Sequence, residues 1–577
     1  MFRSWSRSLA VLLLLLVLWG GWFIFRTSLV LEGKRWFCLF DDAMISMTYA
    51  RNLVEGHGLN WARWGEPVEG FTHPLWMLLM IPVNALPLAL RVRSLLVQIL
   101  SLLALAGTVA AVRRLMLAHF ADERARHWLP AAVLTAFYHP LAYWSLMGME
   151  TGLQALLTVV AVHLALSAVH LGRDRHLALW LVCTAAVLLR MDMVLLVVAV
   201  QLYLVLRGGL RPAGRRSWLA GLAVFCAVGA AYALFRWLYF HDVLPNTYYL
   251  KLAGVPLAVR LLRGAATFTD FLRDHLAFLL PVGLGVGVLL RRSSRLLLPA
   301  AVFALYCAYD VYVGGDVWDG DFNVRANRFV AFVMPLVFVL FNAVLNEALA
   351  AWRQRRETPA DSPAGRFAVA AVTAVALLIV DGLWLSRQAE QNWRNLAVTD
   401  RPPDVERNEG VLAQLLEFRR MIKPGATVAS AWAGIPAYFT DYRMIDILGY
   451  NDRVVARLPP VAPLTEDDYQ FFKPGHVKWS EDRLLREQRP DAFFQIWGVR
   501  RSVGPAQEVM PRFGYQRDGD FWVRADSPYV LPVAVQAKRS GPSAADVLDL
   551  RRRRRQQRRA QSLPAPPALP ADPSEPP

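Results

Sequence analysis

Leu9 to Phe25 reads L-A-V-L-L-L-L-L-V-L-W-G-G-W-F-I-F, without a single charge. A bilayer span needs about 20 predominantly apolar residues, and this run with its flanks supplies them. Arg3 and Arg7 precede it and no small-x-small cleavage site follows, so it reads as an uncleaved signal anchor. Similar runs recur along the chain, and composition agrees with them. Of 577 residues, 55% are hydrophobic and only 19% charged, against about 25% charged in globular chains. Several soluble domains would need more charge to cover their surfaces. The chain is a polytopic α-helical membrane protein.

Eleven spans are expected, at 8–25, 93–112, 128–147, 152–171, 176–190, 193–207, 218–239, 272–290, 296–313, 329–349 and 367–385. The stretch Leu75 to Leu90 is left out because Pro82, Asn84 and Pro87 interrupt it, and a full span there would leave backbone groups unpaired in lipid. With 75–90 along the interface, the basic connections all fall on one side. They comprise Arg113, Arg114, Arg124 and Arg126; Arg173 and Arg175; Arg207, Arg211, Arg215 and Arg216; Arg291, Arg292 and Arg295; Arg353, Arg355, Arg356 and Arg366. The positive-inside rule then puts the N-terminus in the cytoplasm and the C-terminus outside the cytoplasmic (inner) membrane. The formal net charge of +17, from 63 Lys and Arg against 46 Asp and Glu, is spent on these connections and on the tail after Lys538. No nucleic-acid partner is expected. The cysteines Cys38, Cys183, Cys226 and Cys307 show no CxxC spacing, which argues against a disulfide framework or a zinc site.

Three units follow: a membrane domain over 1–385 with an outer loop at 26–92, a soluble extracytoplasmic α/β domain over 386–536, and a disordered Arg/Pro-rich tail over 537–577. In the second unit, Thr427 to Trp432 and Arg443 to Leu448 are β-prone, and Gly434 to Tyr438 suits a short helix. The outer connections carry the unusual polar clusters: Asp41-Asp42, Glu150, Pro245-Asn246-Thr247, Lys251 and Gly314-Gly315-Asp316. Adjacent carboxylates raise each other's pKa, so one of them can act as a general base near neutral pH. A solvated helix cap is the plainer reading of the same pair. Arg236, Lys251, Arg325 and Arg328 are also expected near this surface, where interfacial snorkelling is the plain reading. Trp61, Trp64 and Trp318 suit either sugar stacking or an interfacial belt.

The stretch from Asp41-Asp42-Ala43 through Tyr49-Ala50-Arg51-Asn52-Leu53 and Glu55-Gly56 to Val68-Glu69-Gly70-Phe71-Thr72-His73 and Leu75-Trp76 resembles the GT-C glycosyltransferases. Within them it is similar to the terminal arabinofuranosyltransferase family of bacterial cell envelopes. Further matches follow in order: Gly148-Met149-Glu150-Thr151, Arg190-Met191-Asp192, Arg236 with Leu244-Pro245-Asn246-Thr247 and Lys251, Gly314-Gly315-Asp316, Ile445 to Asp452, and Pro474-Gly475-His476. After the GGD the chain departs from the family pattern, with Val317-Trp318-Asp319-Gly320-Asp321-Phe322 in place of a shorter segment.

The resemblance implies an inverting transferase that moves a sugar, arabinofuranose among the candidates, from a polyprenyl-phosphate donor to an envelope glycan or glycoprotein at the outer face of the membrane. It makes Asp41 the base and leaves Asp42 to orient the acceptor or hold a cation. The donor phosphate then needs cationic contacts, for which Arg236 and Lys251 are suitable and Arg325 and Arg328 further candidates, and Glu150, Asn246, Asp316 and His73 are contacts to sugar or acceptor. No cofactor is required beyond a possible divalent cation on Asp41 and Asp42. Two other classes remain: a flippase or transporter of polyprenyl-linked sugars, and a non-catalytic glycan-binding membrane protein.

Overall fold

The computed structural model describes residues 7–120, 127–319, 324–356, 363–384, 386–496 and 506–532. Arg3, Arg124 and Arg126, and the expected tail over 537–577, lie outside these residues. Each of the eleven expected segments falls on helix. Among the described residues, seven helices are long and apolar enough to cross a membrane: Arg7–Thr27, Leu90–His119, Thr151–Leu171, Pro212–Phe240, Leu257–Leu290, Ser294–Val313 and Met334–Trp352. His176–Leu189, Met191–Leu206 and Gly365–Val380 are apolar but shorter. The segment expected at 128–147 is broken into Leu129–Phe137 and His139–Leu146, because Tyr138 leaves the helical region and Pro140 has no N–H to continue the ladder. Pro74–Ala85 forms a 12-residue helix, about 18 Å long. That is too short to cross.

Residues of opposite character collect at the two ends of the bundle. At one end Arg295 donates to the His119 carbonyl at 3.0 Å, Tyr203 to that of Ser294 at 3.2 Å, and the Leu177 N–H to the Ser217 hydroxyl at 3.2 Å. This end gathers basic connections. The other end gathers the polar clusters around Asp42, Glu150, Arg190, Lys251 and Arg328. The helix Arg215–Phe240 turns Leu219, Leu234, Trp237 and Leu238 outward, as an apolar surface facing lipid does.

Beyond a small hairpin of β1 (Leu29–Leu31) and β2 (Lys34–Trp36), the strands belong to the C-terminal unit. Its five strands are β3 (Thr427–Ser430), β4 (Arg443–Asp446), β5 (Ala492–Phe493), β6 (Tyr515–Asp518) and β7 (Phe521–Arg524), ordered β4-β3-β5-β7-β6. β3 runs parallel to both neighbours, while β5, β7 and β6 pair antiparallel. The helix Pro403–Met421 packs Phe418 against Phe494 and Phe521 of this unit. The unit sits directly on the polar end of the bundle. Arg51 donates to the carbonyls of Tyr438 and Thr440 at 2.6 and 3.1 Å, and Asn408 donates to that of Leu39 at 2.9 Å.

Candidate active site

The helix Asp41–Val54 begins with its two acids, where the helix dipole favours negative charge. Successive helical residues point about 100° apart, so the neighbours face different partners. Asp41 turns to the C-terminal unit: Ile435 N–H donates to its Oδ1 at 2.8 Å and Gly434 N–H to its Oδ2 at 3.2 Å. Glycine is required at 434, because a Cβ would collide with the Asp41 backbone oxygen. Asp42 turns into the bundle and pairs with Arg328, Nη1 to Oδ2 at 2.9 Å. The same guanidinium holds Asp316 through Nε at 2.8 Å.

Their charge states diverge accordingly. Burial, with Asp42 adding to it against the two backbone hydrogen bonds, pushes the Asp41 carboxyl from 3.8 to about 7. Burial pushes Asp42 up as well, but Arg328 and Lys251 more than reverse it and hold it below its ordinary value. One acid is therefore poised to take a proton near neutral pH, and the other stays ionised.

Asp42 borders two cavities. The first, of about 200 Å³, lies among the membrane helices and is lined by Asp42, His73, Glu150, Lys251, Asp316 and Arg328, with Arg190 and Asp192. Arg190 donates to Glu150 at 2.8 Å and pairs with Asp192 at 2.7 Å. His73 shares a 2.6 Å hydrogen bond with Ser46. Burial lowers His73, leaving it neutral and Arg190 as the counter-charge of Glu150. Burial opposes ionisation of Glu150, but the Arg190 and Arg328 charges beside it hold it below its ordinary value. Glu150 Oε2 and His73 Nδ1 are buried without hydrogen-bond partners, 3.6 Å apart. Lys251 makes no ion pair among the described residues; its ammonium lies 5.3 Å from the Tyr450 ring centre. Gly314 and Gly315, at φ of 89° and 72°, turn the chain so that Asp316 reaches Arg328.

The second cavity, of about 340 Å³, lies between the bundle and the C-terminal unit. Asp41, Asp42, Ile45, Val317 and Tyr450 border it, and all but Asp41 also line the first.

Of the ten residues expected at the site, Asp42, His73, Glu150, Lys251, Asp316 and Arg328 converge on the first cavity, and Asp41 reaches the second. Three lie elsewhere. Arg236 is taken up by Glu69, Nε to Oε2 at 2.5 Å, and Tyr232 closes on the same carboxylate at 2.5 Å. Arg325 donates to the carbonyls of Ile379 and Val380 at 3.0 and 2.7 Å. Asn246 donates to those of Gly449 and Tyr450 at 2.8 and 2.9 Å, which ties the bundle to the C-terminal unit. Arg236 and Asn246 satisfy buried charge and backbone away from both cavities, and Arg325 borders a separate one together with Asp270, Asp274 and Asp319. Of the tryptophans, Trp318 borders the second cavity, Trp61 donates to Ala433 at 2.7 Å, and Trp64 lies exposed under Arg443. Arg190 and Asp192 carried a motif match but no assigned role, and Arg407, Trp432 and Lys473 gave no signal because the fold alone brings them to the site. The residues fit a divalent ion poorly: among those described, no three metal-ligating side chains stand together, and the cation between Asp42 and Asp316 is Arg328.

A model for a domain of unknown function (DUF8728) matches residues 395–531, which is most of the docked α/β unit. No curated protein matches the chain by sequence. Among solved structures, ArnT from Cupriavidus metallidurans bound to undecaprenyl phosphate is 12% identical, covering 91% of this chain and 99% of that one, with a TM-score of 0.51. The oligosaccharyltransferase AglB from Archaeoglobus fulgidus, in complex with an inhibitory peptide and a dolichol-phosphate, is 12% identical over 76% of this chain and 65% of that one, at 0.40. The likeness to ArnT is one of fold. The chain itself is a helical membrane bundle capped by a C-terminal sheet unit.

Proposed function

We propose that the chain is an inverting glycosyltransferase that moves a sugar from a polyprenyl-phosphate donor to an envelope glycan or glycoprotein. The reaction takes place at the outer face of the cytoplasmic membrane. The observation that carries this reading is the position of Asp42 between two cavities, one reaching into the bundle and one beneath the C-terminal unit, with Asp41 next to it facing the second.

The first cavity suits the donor. Lys251 and Arg328 supply positive charge for a phosphate that must stay at the membrane surface with its lipid. Glu150 and His73 offer an unpartnered acceptor and ring nitrogen 3.6 Å apart, which one sugar hydroxyl can bridge. The second cavity suits the acceptor. An acceptor hydroxyl attacks the anomeric carbon, the bond from that carbon to the phosphate oxygen breaks, and its electron pair leaves with polyprenyl phosphate. The hydroxyl proton passes to Asp41. Attack and departure on opposite faces invert the configuration. Asp42, ionised and held by Arg328, is a weak base that suits orientation rather than proton transfer.

The ordered motifs favour arabinofuranose as the sugar. ArnT was captured with undecaprenyl phosphate, in keeping with a lipid-phosphate donor. The one-sided basic connections support a reading in which the polar end lies outside. The test is incubation of the purified protein with polyprenyl-phosphate arabinofuranose and an oligosaccharide acceptor, with NMR of the new anomeric centre. Inverted product is expected; retention, or no transfer from any polyprenyl-phosphate sugar, overturns the proposal.

A further inference from the structure

Two segments of the C-terminal unit carried motif matches but no role: Ile445 to Asp452 and Pro474-Gly475-His476. The fold brings both to the first cavity, where Tyr450 and Pro474 stand in the lining with Lys251. Tyr450 is held there from two sides. Within its own loop, the Leu448, Gly449 and Asn451 N–H groups donate to the Asp446 carboxylate at 3.0, 3.1 and 2.7 Å. From the bundle, Asn246 donates to the Tyr450 carbonyl at 2.9 Å, and the Tyr49 hydroxyl lies 2.9 Å from the Asn451 amide oxygen. A side chain on so fixed a loop meets a ligand at little further cost in entropy.

Tyr450 is only 8% exposed, and among the described residues its hydroxyl has no hydrogen-bond partner. A buried phenol usually finds one. Gly475, at φ of 83°, passes so close that a Cβ there would lie 2.5 Å from the Tyr450 hydroxyl and 3.3 Å from Lys251 Cε. Glycine at 475 therefore lets the hydroxyl and the lysine share one corner of the cavity. Burial pushes the phenol well above its ordinary value, so it keeps its proton and can donate. The neighbouring guanidiniums are already taken, Arg328 by Asp42 and Asp316 and Arg190 by Glu150 and Asp192. Lys251 makes no ion pair among the described residues. A phosphate group, whose oxygens only accept, answers both the hydroxyl and the ammonium.

We infer that Tyr450 donates its hydroxyl to a phosphate oxygen held by Lys251, so that the C-terminal unit completes a phosphate site in the first cavity. That this phosphate is the leaving group of a sugar transfer rests on the transferase reading above; the contact itself does not.

Isothermal titration of the full-length protein in detergent with farnesyl phosphate and with inorganic phosphate tests the inference. Tyr450→Phe removes the hydroxyl and keeps the ring. It should bind farnesyl phosphate at least about tenfold more weakly, the scale of one hydrogen bond to a charged group. Its unfolding midpoint without ligand should stay at or above that of the wild type, since no bond within the protein is lost. Unchanged affinity overturns the contact, and so does a lowered midpoint, which would make the hydroxyl structural. Inorganic phosphate should bind the wild type more weakly than farnesyl phosphate, because it buries no prenyl chain. Equal affinity would give the site to a free anion and overturn its place at a lipid donor. Sugar transfer by a protein whose farnesyl phosphate affinity ignores Tyr450→Phe would sink the contact and leave the transferase standing. The expected loss of affinity in a protein that transfers nothing would do the reverse.

Discussion

Asp41→Asn should make the protein more stable and nearly inactive, with the stability gain confined to high pH. In the wild type the carboxyl is raised from 3.8 to about 7, chiefly by burial. An acid that ionises less readily in the folded state contributes its full stability below the unfolded value. That contribution is lost progressively as pH rises from about 4 to about 7. At about 1.4 kcal/mol per pH unit, ionised Asp41 costs about 4 kcal/mol at pH 8. Asparagine removes that charge. It keeps one oxygen for either Ile435 or Gly434 and turns an amide N–H toward the other donor. Losing a charge-assisted hydrogen bond costs about 1.5–3 kcal/mol, which leaves the variant about 1–2 kcal/mol more stable at pH 8. At pH 5 the wild-type carboxyl is already protonated, so the advantage should vanish or reverse. Turnover should fall by about 10²–10⁴, the usual contribution of a general base, while wild-type turnover rises with pH and levels off above about 7 as Asp41 ionises. Thermal unfolding midpoints at pH 5 and pH 8, with sugar transfer measured on the same preparations, check both halves. A stability difference that ignores pH, or an Asn variant with wild-type turnover, refutes the reasoning.

Arg236→Ala strands the buried carboxylate of Glu69 and should cost about 3–5 kcal/mol, read as a lowered unfolding midpoint, with the pair Arg236→Gln and Glu69→Gln restoring most of it. A stable Arg236→Ala protein with a greatly raised donor KM would put that guanidinium at the phosphate instead. Lys251→Gln breaks no ion pair among the described residues, so its unfolding midpoint should stay near wild type while the donor KM rises about 10- to 150-fold. Unchanged KM would make Lys251 an anchor for Tyr450 alone. A reporter fused near Pro424 should behave as exported and one fused at Arg173 as cytoplasmic; the opposite pattern would invert the assigned orientation.

The membrane segments were legible because lipid imposes one requirement on every span: an unbroken, internally hydrogen-bonded apolar run. Even the break at Tyr138 has its cause in the sequence, in Pro140. The polar end was legible for a different reason. Charges such as Asp42, Glu150 and Arg328 stand out against apolar neighbours, and burying them is costly without partners. What the sequence could not assign was which partner each charge takes. Arg236 and Lys251 look alike along the chain, but Glu69 lies far from Arg236 in sequence and meets it only in the fold. Arg407 and Lys473 sit among ordinary polar residues of the soluble unit, so nothing local marks them. Pairing is a property of tertiary packing, and a single chain of letters does not contain it.

With Asp41 as the proposed base, the hydrogen bonds to it would tie catalysis to domain docking. Both donors to its carboxylate belong to the C-terminal unit, and both lie at the start of the helix Ile435–Phe439, where only glycine fits at 434. Undocking that unit would remove the two bonds that lower Asp41, but it would also admit water and remove the burial that raises it. Burial is the larger influence, so an undocked Asp41 would return toward an ordinary carboxylic acid, ionised at neutral pH and weakly basic. The same movement would open the second cavity, since Trp432, Tyr450 and Lys473 would leave with the unit. A base poised near 7 therefore exists only while the acceptor cavity is closed. The residues 395–531 are on this account half of the active site, and their removal should abolish transfer rather than merely loosen acceptor binding.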